Sequence, residues 1–202
     1  MRPAVFLDRD GTVNEQMGYI NHLSRFRLLP RAAQAIRLFN EQGIPVVIVT
    51  NQSGLARGYF PDAVLAEVHE RMNRLLAEAG AHLDGIYVCP HHPEAVVAKY
   101  RAVCDCRKPK TGLLTRAAAD LDLDLGRSYI VGDRWSDLKA AERCRATGVL
   151  VLTGYGRGEY EYIGPAQGLQ PHMVAEDLYD AAQWIIGDLA AREQEARGNP
   201  HA

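Results

Sequence analysis

Short apolar runs alternate along this chain with stretches of helical period. The first run, Ala4-Val5-Phe6-Leu7, predicts a buried strand. Residues 13–29 have no period and predict a loop, with Gly18, Asn21 and His22 among them. Pro30 opens a predicted helix, its preset φ suiting a first turn. Ala32, Ala35, Ile36 and Phe39 supply the apolar stripe of that helix, and Gly43 ends it. Residues 44–49 form a nearly continuous β-branched run, the pattern of a parallel strand buried on both faces. Pro61 opens a second helix, lined by Val64, Leu65, Val68, Met72, Leu75 and Leu76 and closed by Gly80. Residues 86–88 predict a third strand, and an irregular stretch fills 89–108. The alternation continues with a helix over 113–121, a strand over 129–131, a helix capped by Ser136 and running through Cys144, and a strand over 149–152. Residues 173–175 predict a sixth strand, and Asp177 caps a last helix through Leu189. From Arg192 the chain is polar and is expected to fray.

Strands alternating with helices at this spacing predict an α/β fold with a doubly wound, mostly parallel sheet. No stretch suits a separate cap domain of about a hundred residues, so loops alone should roof the cleft. The 202 residues suit one domain, expected over 1–190 with an irregular insert at 89–108 and a disordered tail over 191–202. A net charge of −2 argues against nucleic acid as a partner. No apolar run approaches the ~20 residues of a membrane helix, and the N-terminus lacks a signal peptide's apolar region. A cytoplasmic monomer with no membrane contact is expected. In that compartment the four cysteines are thiols or metal ligands rather than disulfides.

The chemistry gathers where the runs end. After Leu7 come Asp8-Arg9-Asp10-Gly11-Thr12, two acids one residue apart with turn formers behind them. Side by side on a continuing strand the acids would repel, so the chain is expected to leave the strand here. That point is the ligand edge of an open α/β sheet. Two acids so close suit a hard cation such as Mg²⁺ shared with substrate phosphate oxygens; a solvated acidic turn is the plainer alternative. The second strand ends in Thr50-Asn51-Gln52-Ser53-Gly54, a hydroxyl followed by free N–H groups that suits a phosphate. Arg107-Lys108-Pro109 supplies positive charge, and Val131-Gly132-Asp133 a further acid at a strand end. Asp137, one helical turn beyond Asp133, orients a metal's water shell or Lys108, or is a helix N-terminal acid. Cys89, His91, Cys104 and Cys106 bracket the irregular insert as three thiolates and an imidazole, a closed tetrahedral set for Zn²⁺. His92 is the neighbouring candidate. Such a site has no open position, so its expected role is to pin the loop and hold Arg107 and Lys108 at the cleft.

Phe6-Leu7-Asp8-Arg9-Asp10-Gly11-Thr12 resembles the signature of the haloacid dehalogenase superfamily, and the segments around Thr50, Lys108 and Asp133 resemble its remaining motifs. The resemblance implies a Rossmann-like core in which Asp8 is a nucleophile, Asp10 a general acid and base, and Thr50 and Lys108 phosphoryl ligands. Asp8, Asp133 and the Asp10 carbonyl would hold Mg²⁺. Within the superfamily, Cys-Pro-His-His-Pro followed by Cys-Asp-Cys-Arg-Lys-Pro is similar to the D-glycero-D-manno-heptose 1,7-bisphosphate 7-phosphatases, with the histidinol-phosphate phosphatases as near relatives. This implies removal of the 7-phosphate of a sugar bisphosphate on the way to a nucleotide-activated heptose for surface polysaccharide, with histidinol phosphate or another small monoester as the alternative substrate. It also implies that Gln16, Met17, Gly18, Tyr19, Asn51, Gln52, Ser53 and Arg107 line the substrate. Arg134 stands where close relatives often carry Lys, which leaves its role open, and 154–170 has no assigned function.

Overall fold

The computed structural model describes residues 1–168 and 170–198, the side chains of 196–198 excepted. Six strands make one parallel sheet: β1 (Val5–Leu7), β2 (Val46–Asn51), β3 (Gly85–Cys89), β4 (Tyr129–Gly132), β5 (Thr147–Val151) and β6 (Met173–Ala175). Their order is β3-β2-β1-β4-β5-β6, so the first strand is central and the chain winds outward in both directions. Alternation along β1 explains the two cores. Val5 and Leu7 face a cluster with α1 (Ala32–Glu41), α2 (Asp62–Glu78) and α7 (Leu178–Gly198). Ala4 and Phe6 face the opposite cluster with α3 (Gly112–Leu121) and α4 (Trp135–Cys144). Burial on both faces is what the β-branched runs called for.

Register decides where the functional groups emerge. Leu7 pairs with Ile48 on one side and Val131 on the other. The three strands therefore end at one edge of the sheet, with Asp8 leaving β1 between β2 and β4. The longest connections, 8–31 after β1 and 90–111 after β3, lie at this edge, and among the described residues no cap domain is inserted. No described helix is long and apolar enough to cross a membrane.

Three features differ from expectation, and a fourth, in 154–170, falls where the sequence predicts no element. Helix α1 begins at Ala32, because Arg31 takes φ 61 and is held outside it by bonds of 3.0 and 2.6 Å to Asp177. The cap of α4 is Arg134 rather than Ser136, since the Asp137 carboxylate reaches back 3.2 Å to the Arg134 N–H. Residues 154–170 contain helix: α5 (Gly156–Gly158), a π-helical turn (Glu159–Ile163) and α6 (Gly164–Gln167). Helix α7 continues to Gly198, so the stretch expected to fray from Arg192 is helical that far. Its residues from Ala190 to Ala196 are good helix formers, and Arg192 pairs with Asp188 at 2.7 Å one turn back. The rest of the predicted tail, 199–202, lies outside the described residues.

Candidate active site

The segment after β1 folds into a tight turn rather than a longer strand. The N–H groups of Thr12, Val13 and Asn14 all donate to the Arg9 carbonyl, at 3.3, 2.8 and 3.1 Å. This turn separates the two acids. The Asp10 carboxylate accepts two bonds from Arg9 Nη2 (2.9 and 2.8 Å), one from Asn14 Nδ2 (2.9 Å) and one from Gln52 Nε2 (2.7 Å). Burial works to raise its pKa, but Arg9, Asn14 and Gln52 outweigh it and hold the group below the ordinary carboxylate range. Arg9 is itself only 1% exposed, and its Nη1 lies 3.2 Å from His69 Nε2 on α2. The sequence reading missed these supports, although Arg9 sits between the two acids.

Asp8 belongs to a different cluster. The Lys108 ammonium lies 3.0 Å from Asp8 Oδ1 and 2.6 Å from Asp137 Oδ1, and donates 2.7 Å to the Val49 carbonyl. Burial opposes its charge, but Asp137 and Asp8 prevail and raise its pKa. Asn51 anchors the backbone of Lys108, accepting from its N–H and donating to its carbonyl, both at 3.1 Å. Asp137 thus serves both Lys108 and the start of α4.

Oxygens of Asp8, Asp133 and Asp137 converge within 4.8 Å of one another. Burial together with Asp137 and Asp10 raises the Asp8 pKa to about 6 even with Lys108 beside it. Burial, Asp8 and Asp137 raise that of Asp133 to about 8. Asp133 is fully buried; its Oδ2 accepts from the Tyr155 N–H at 2.8 Å, while its Oδ1 has no partner. A buried carboxylate oxygen without a donor, facing two further acids, suits a hard divalent cation. Two glycines make this packing possible. A Cβ at Gly11 or Gly154 would lie 2.0 or 2.2 Å from Asp133 Oδ2, and both residues have positive φ. Thr153 Oγ1 donates 2.6 Å to the Gly11 carbonyl and locks the two loops together.

A cavity opens above these groups. Asp8, Asp10, Thr50 and Lys108 line its floor, with Gln16, Gly18, Tyr19, Asn51, Ser53 and Arg107 around it. Two of the residues expected there are elsewhere. Met17 packs against the core, and its carbonyl accepts from Arg25. Gln52 is buried and engaged by Asp10 and by Thr50 Oγ1, 2.9 Å away. Arg57, Arg134, Ser136 and Tyr155 line the cavity without having been expected. The sequence assigns Arg134 no role, and its only signal for Arg57 is the position behind Thr50.

At the end of β3, Cys89, His91, Cys104 and Cys106 bring their ligand atoms within 4.8 Å of one another. The S···S separations are 3.0, 3.2 and 3.6 Å, and His91 Nδ1 is 3.3 Å from Cys106 Sγ. A tetrahedral ion with thiolates at about 2.3 Å has edges of about 3.8 Å, so the sulfurs would move apart by a few tenths of an ångström to hold one. Burial and the neighbouring sulfurs push the Cys89 thiol far above its ordinary pKa, a strain that a cation would relieve. His92 points elsewhere, receiving Arg57 Nη2 at 3.1 Å.

The HAD-hydrolase-like family matches residues 105–181. The chain is 45% identical over 199 residues to the D-glycero-D-manno-heptose-1,7-bisphosphate 7-phosphatase of Thermosynechococcus vestitus, covering 95% of this chain and 99% of that one. It is 40% identical to the D-glycero-beta-D-manno-heptose-1,7-bisphosphate 7-phosphatase of Escherichia coli K12, over 93% and 90% of the two chains. Among solved structures, the D,D-heptose 1,7-bisphosphate phosphatase of B. bronchiseptica, complexed with magnesium and phosphate, superposes with a TM-score of 0.81 at 37% identity, covering 93% of this chain and 99% of that one. The corresponding phosphatase of Burkholderia thailandensis gives a TM-score of 0.68 at 28% identity, over 92% and 99%.

Proposed function

The chain belongs to the heptose-bisphosphate phosphatase family of haloacid dehalogenase-like hydrolases, and on that premise we propose that it removes the 7-phosphate of D-glycero-D-manno-heptose 1,7-bisphosphate. It is a phosphoric monoester hydrolase. The observation that carries the reading is the buried cluster of Asp8, Asp133 and Asp137 around the Lys108 ammonium, at the sheet edge where the Thr50 hydroxyl also emerges.

Asp8 is the nucleophile. A carboxylate oxygen attacks phosphorus in line, the bond from phosphorus to the C7 oxygen breaks, and an aspartyl-phosphate results. Asp10 protonates the leaving alkoxide and then takes a proton from the water that opens the acyl phosphate. Arg9, Asn14 and Gln52 keep Asp10 a carboxylate in the free protein, ready for the second step. An anionic substrate arriving beside it raises its pKa and favours the protonated form the first step needs. Thr50 Oγ1 already accepts from Gln52, so its own O–H is free to donate to a phosphoryl oxygen. Lys108 offsets charge on the transferring group, and Asp137 fixes its position. Gln16, Gly18, Tyr19, Asn51 and Ser53 shape the cavity, and Arg107 reaches the substrate's second anionic group.

Asp8, Asp133 and the Asp10 carbonyl would hold Mg²⁺, which when bound neutralises the carboxylates and the phosphoryl oxygens. Cys89, His91, Cys104 and Cys106 would hold Zn²⁺ in a closed structural site that steadies the loop leading to Arg107 and Lys108.

The test is phosphate release with product identification. Wild-type protein with Mg²⁺ should convert the heptose 1,7-bisphosphate to the 1-phosphate and prefer it to histidinol phosphate. Asp8→Asn should abolish turnover with an unchanged circular dichroism spectrum. Preference for histidinol phosphate, or substantial turnover by Asp8→Asn, would overturn the reading.

A further inference from the structure

Arg57 lines the same cavity as Asp8 and Lys108, yet the chemistry above gives it no part. It follows β2 on a turn that the cysteine loop braces from outside. Val97 N–H donates 3.0 Å to the Ala56 carbonyl, and Arg57 Nη2 donates 3.1 Å to His92 Nε2, one residue beyond the His91 of the Cys/His cluster. Its Nε is buried without a partner, and so is Nη1 of Arg107 on the same cavity. Among the described residues neither guanidinium forms an ion pair. The other cations of the cavity are engaged: Lys108 by Asp8 and Asp137, and Arg134 by Glu159 at 3.4 Å with Tyr155 stacked 4.8 Å beneath it.

Two uncompensated guanidiniums with buried, unpaired N–H groups are costly unless a ligand supplies acceptors. Oxygens of a phosphate dianion fit the planar fork of each. One phosphoryl group of the substrate is committed to Asp8, so the ligand for these arginines is the other. We propose that Arg57 is a specificity-determining residue: with Arg107 it grips the phosphate that the reaction leaves in place, and His92 ties that grip to the metal loop. The inference rests on the functional reading above and deepens it.

Steady-state kinetics of Arg57→Met and Arg57→Lys on the heptose 1,7-bisphosphate and on heptose 7-phosphate provide the test, with wild type measured alongside. Arg57→Met should raise KM for the bisphosphate about tenfold or more while kcat changes little. The preference for bisphosphate over monophosphate should shrink by the same factor. Arg57→Lys keeps the charge without the fork and should recover part of that preference. Heptose 1-phosphate should also raise the Tm of wild type more than that of Arg57→Met. Equal losses on both substrates, or an unaltered preference, would overturn the inference while leaving the functional reading intact. A wild-type protein that does not hydrolyse the bisphosphate would overturn the functional reading, and this inference with it.

Discussion

Lys108 owes its charge to two carboxylates, and this makes Asp137 a positioning residue that never meets substrate in the proposed chemistry. With Asp137→Asn the ammonium keeps Asp8 and the Val49 carbonyl but loses the negative charge of its shortest contact, at 2.6 Å. Lys108 should then sit less firmly opposite the transferring phosphoryl group. The expected result is a fall in kcat of about 10- to 100-fold with KM little changed, read by steady-state kinetics on a variant of wild-type fold. A kcat within twofold of wild type would remove Asp137 from that role. Glycine 154 makes a separate claim. Its φ is +57, and a Cβ there would lie 2.2 Å from Asp133 Oδ2 and 2.6 Å from the Gly11 Cα, neither of which is the loose end of a flexible side chain. Gly43 also has positive φ, at +67, but a Cβ there would meet nothing within 4 Å. Gly154→Ala should therefore cost more than the roughly 1 kcal/mol expected from backbone conformation alone at Gly43→Ala. It should also weaken Mg²⁺ binding, which Gly43→Ala should not. Urea unfolding and a Mg²⁺ titration of the two variants compare them directly.

The loop that carries Cys89, His91, Cys104 and Cys106 is the element that joins chemistry to scaffold. Between His91 and Cys104 its hydrogen bonds to the rest of the molecule, among the described residues, are Val97 to Ala56, His92 to Arg57, and both Lys99 (2.6 Å) and Tyr100 to Asp62 at the start of α2. These contacts alone give little stability, since exposed ion pairs contribute about 0–1 kcal/mol. The four-ligand set must therefore hold the loop, and stripping it should free the loop and the Arg107-Lys108 segment behind it. Treatment with a zinc-selective chelator should lower Tm and raise KM, with Zn²⁺ but not Mg²⁺ restoring both, and metal analysis should find about one zinc per chain. Full substrate affinity in zinc-free protein would contradict the pinning role. The Cys/His set was legible in the sequence because three thiols and an imidazole at such close spacing are a distinctive pattern, and the strand ends carrying Asp8, Thr50 and Asp133 were legible because acids and a hydroxyl follow directly on apolar runs. The helical stretch from Gly156 to Gln167 was not. Gly156, Gly158, Gly164 and Pro165 are poor helix formers, and what holds the stretch is tertiary: Glu159 accepts from the Trp135 N–H at 3.0 Å, and its carbonyl accepts from the Trp135 indole at 2.7 Å. Nor was the cradle of Asp10 legible, because Gln52 and His69 reach it from other elements and no local pattern records such contacts.

At the scale of the whole molecule, the sheet forces acids together that would otherwise repel, and the consequence is measurable as stability. Folding buries Asp133 beside Asp8 and Asp137 and raises its pKa from 3.8 to about 8; Asp8 goes from 3.8 to about 6. Between those values the folded protein binds more protons than the unfolded chain, so metal-free stability must fall as pH rises through the window. His69 pulls the other way at the acid end. Burial and Arg9 lower its pKa from 6.5 to about 4, so its contribution is lost as pH falls below about 6.5. Asp10, held below the ordinary carboxylate range by Arg9, Asn14 and Gln52, and Lys108, held above its own by Asp137 and Asp8, add nothing to this window. Among the carboxylates, the window from pH 6.5 to 8 therefore belongs to Asp133. There the metal-free protein should lose Tm with rising pH, and saturating Mg²⁺ should remove the loss by taking the proton's place. The Mg²⁺-induced rise in Tm should then grow from pH 6.5 to pH 8, and binding at pH 7 should release protons, seen as a buffer-dependent heat in calorimetry. Asp133→Asn should flatten the metal-free curve and abolish the Mg²⁺ shift together. A Mg²⁺ shift that is the same at pH 6.5 and pH 8 would mean that these carboxylates are not where the cation binds.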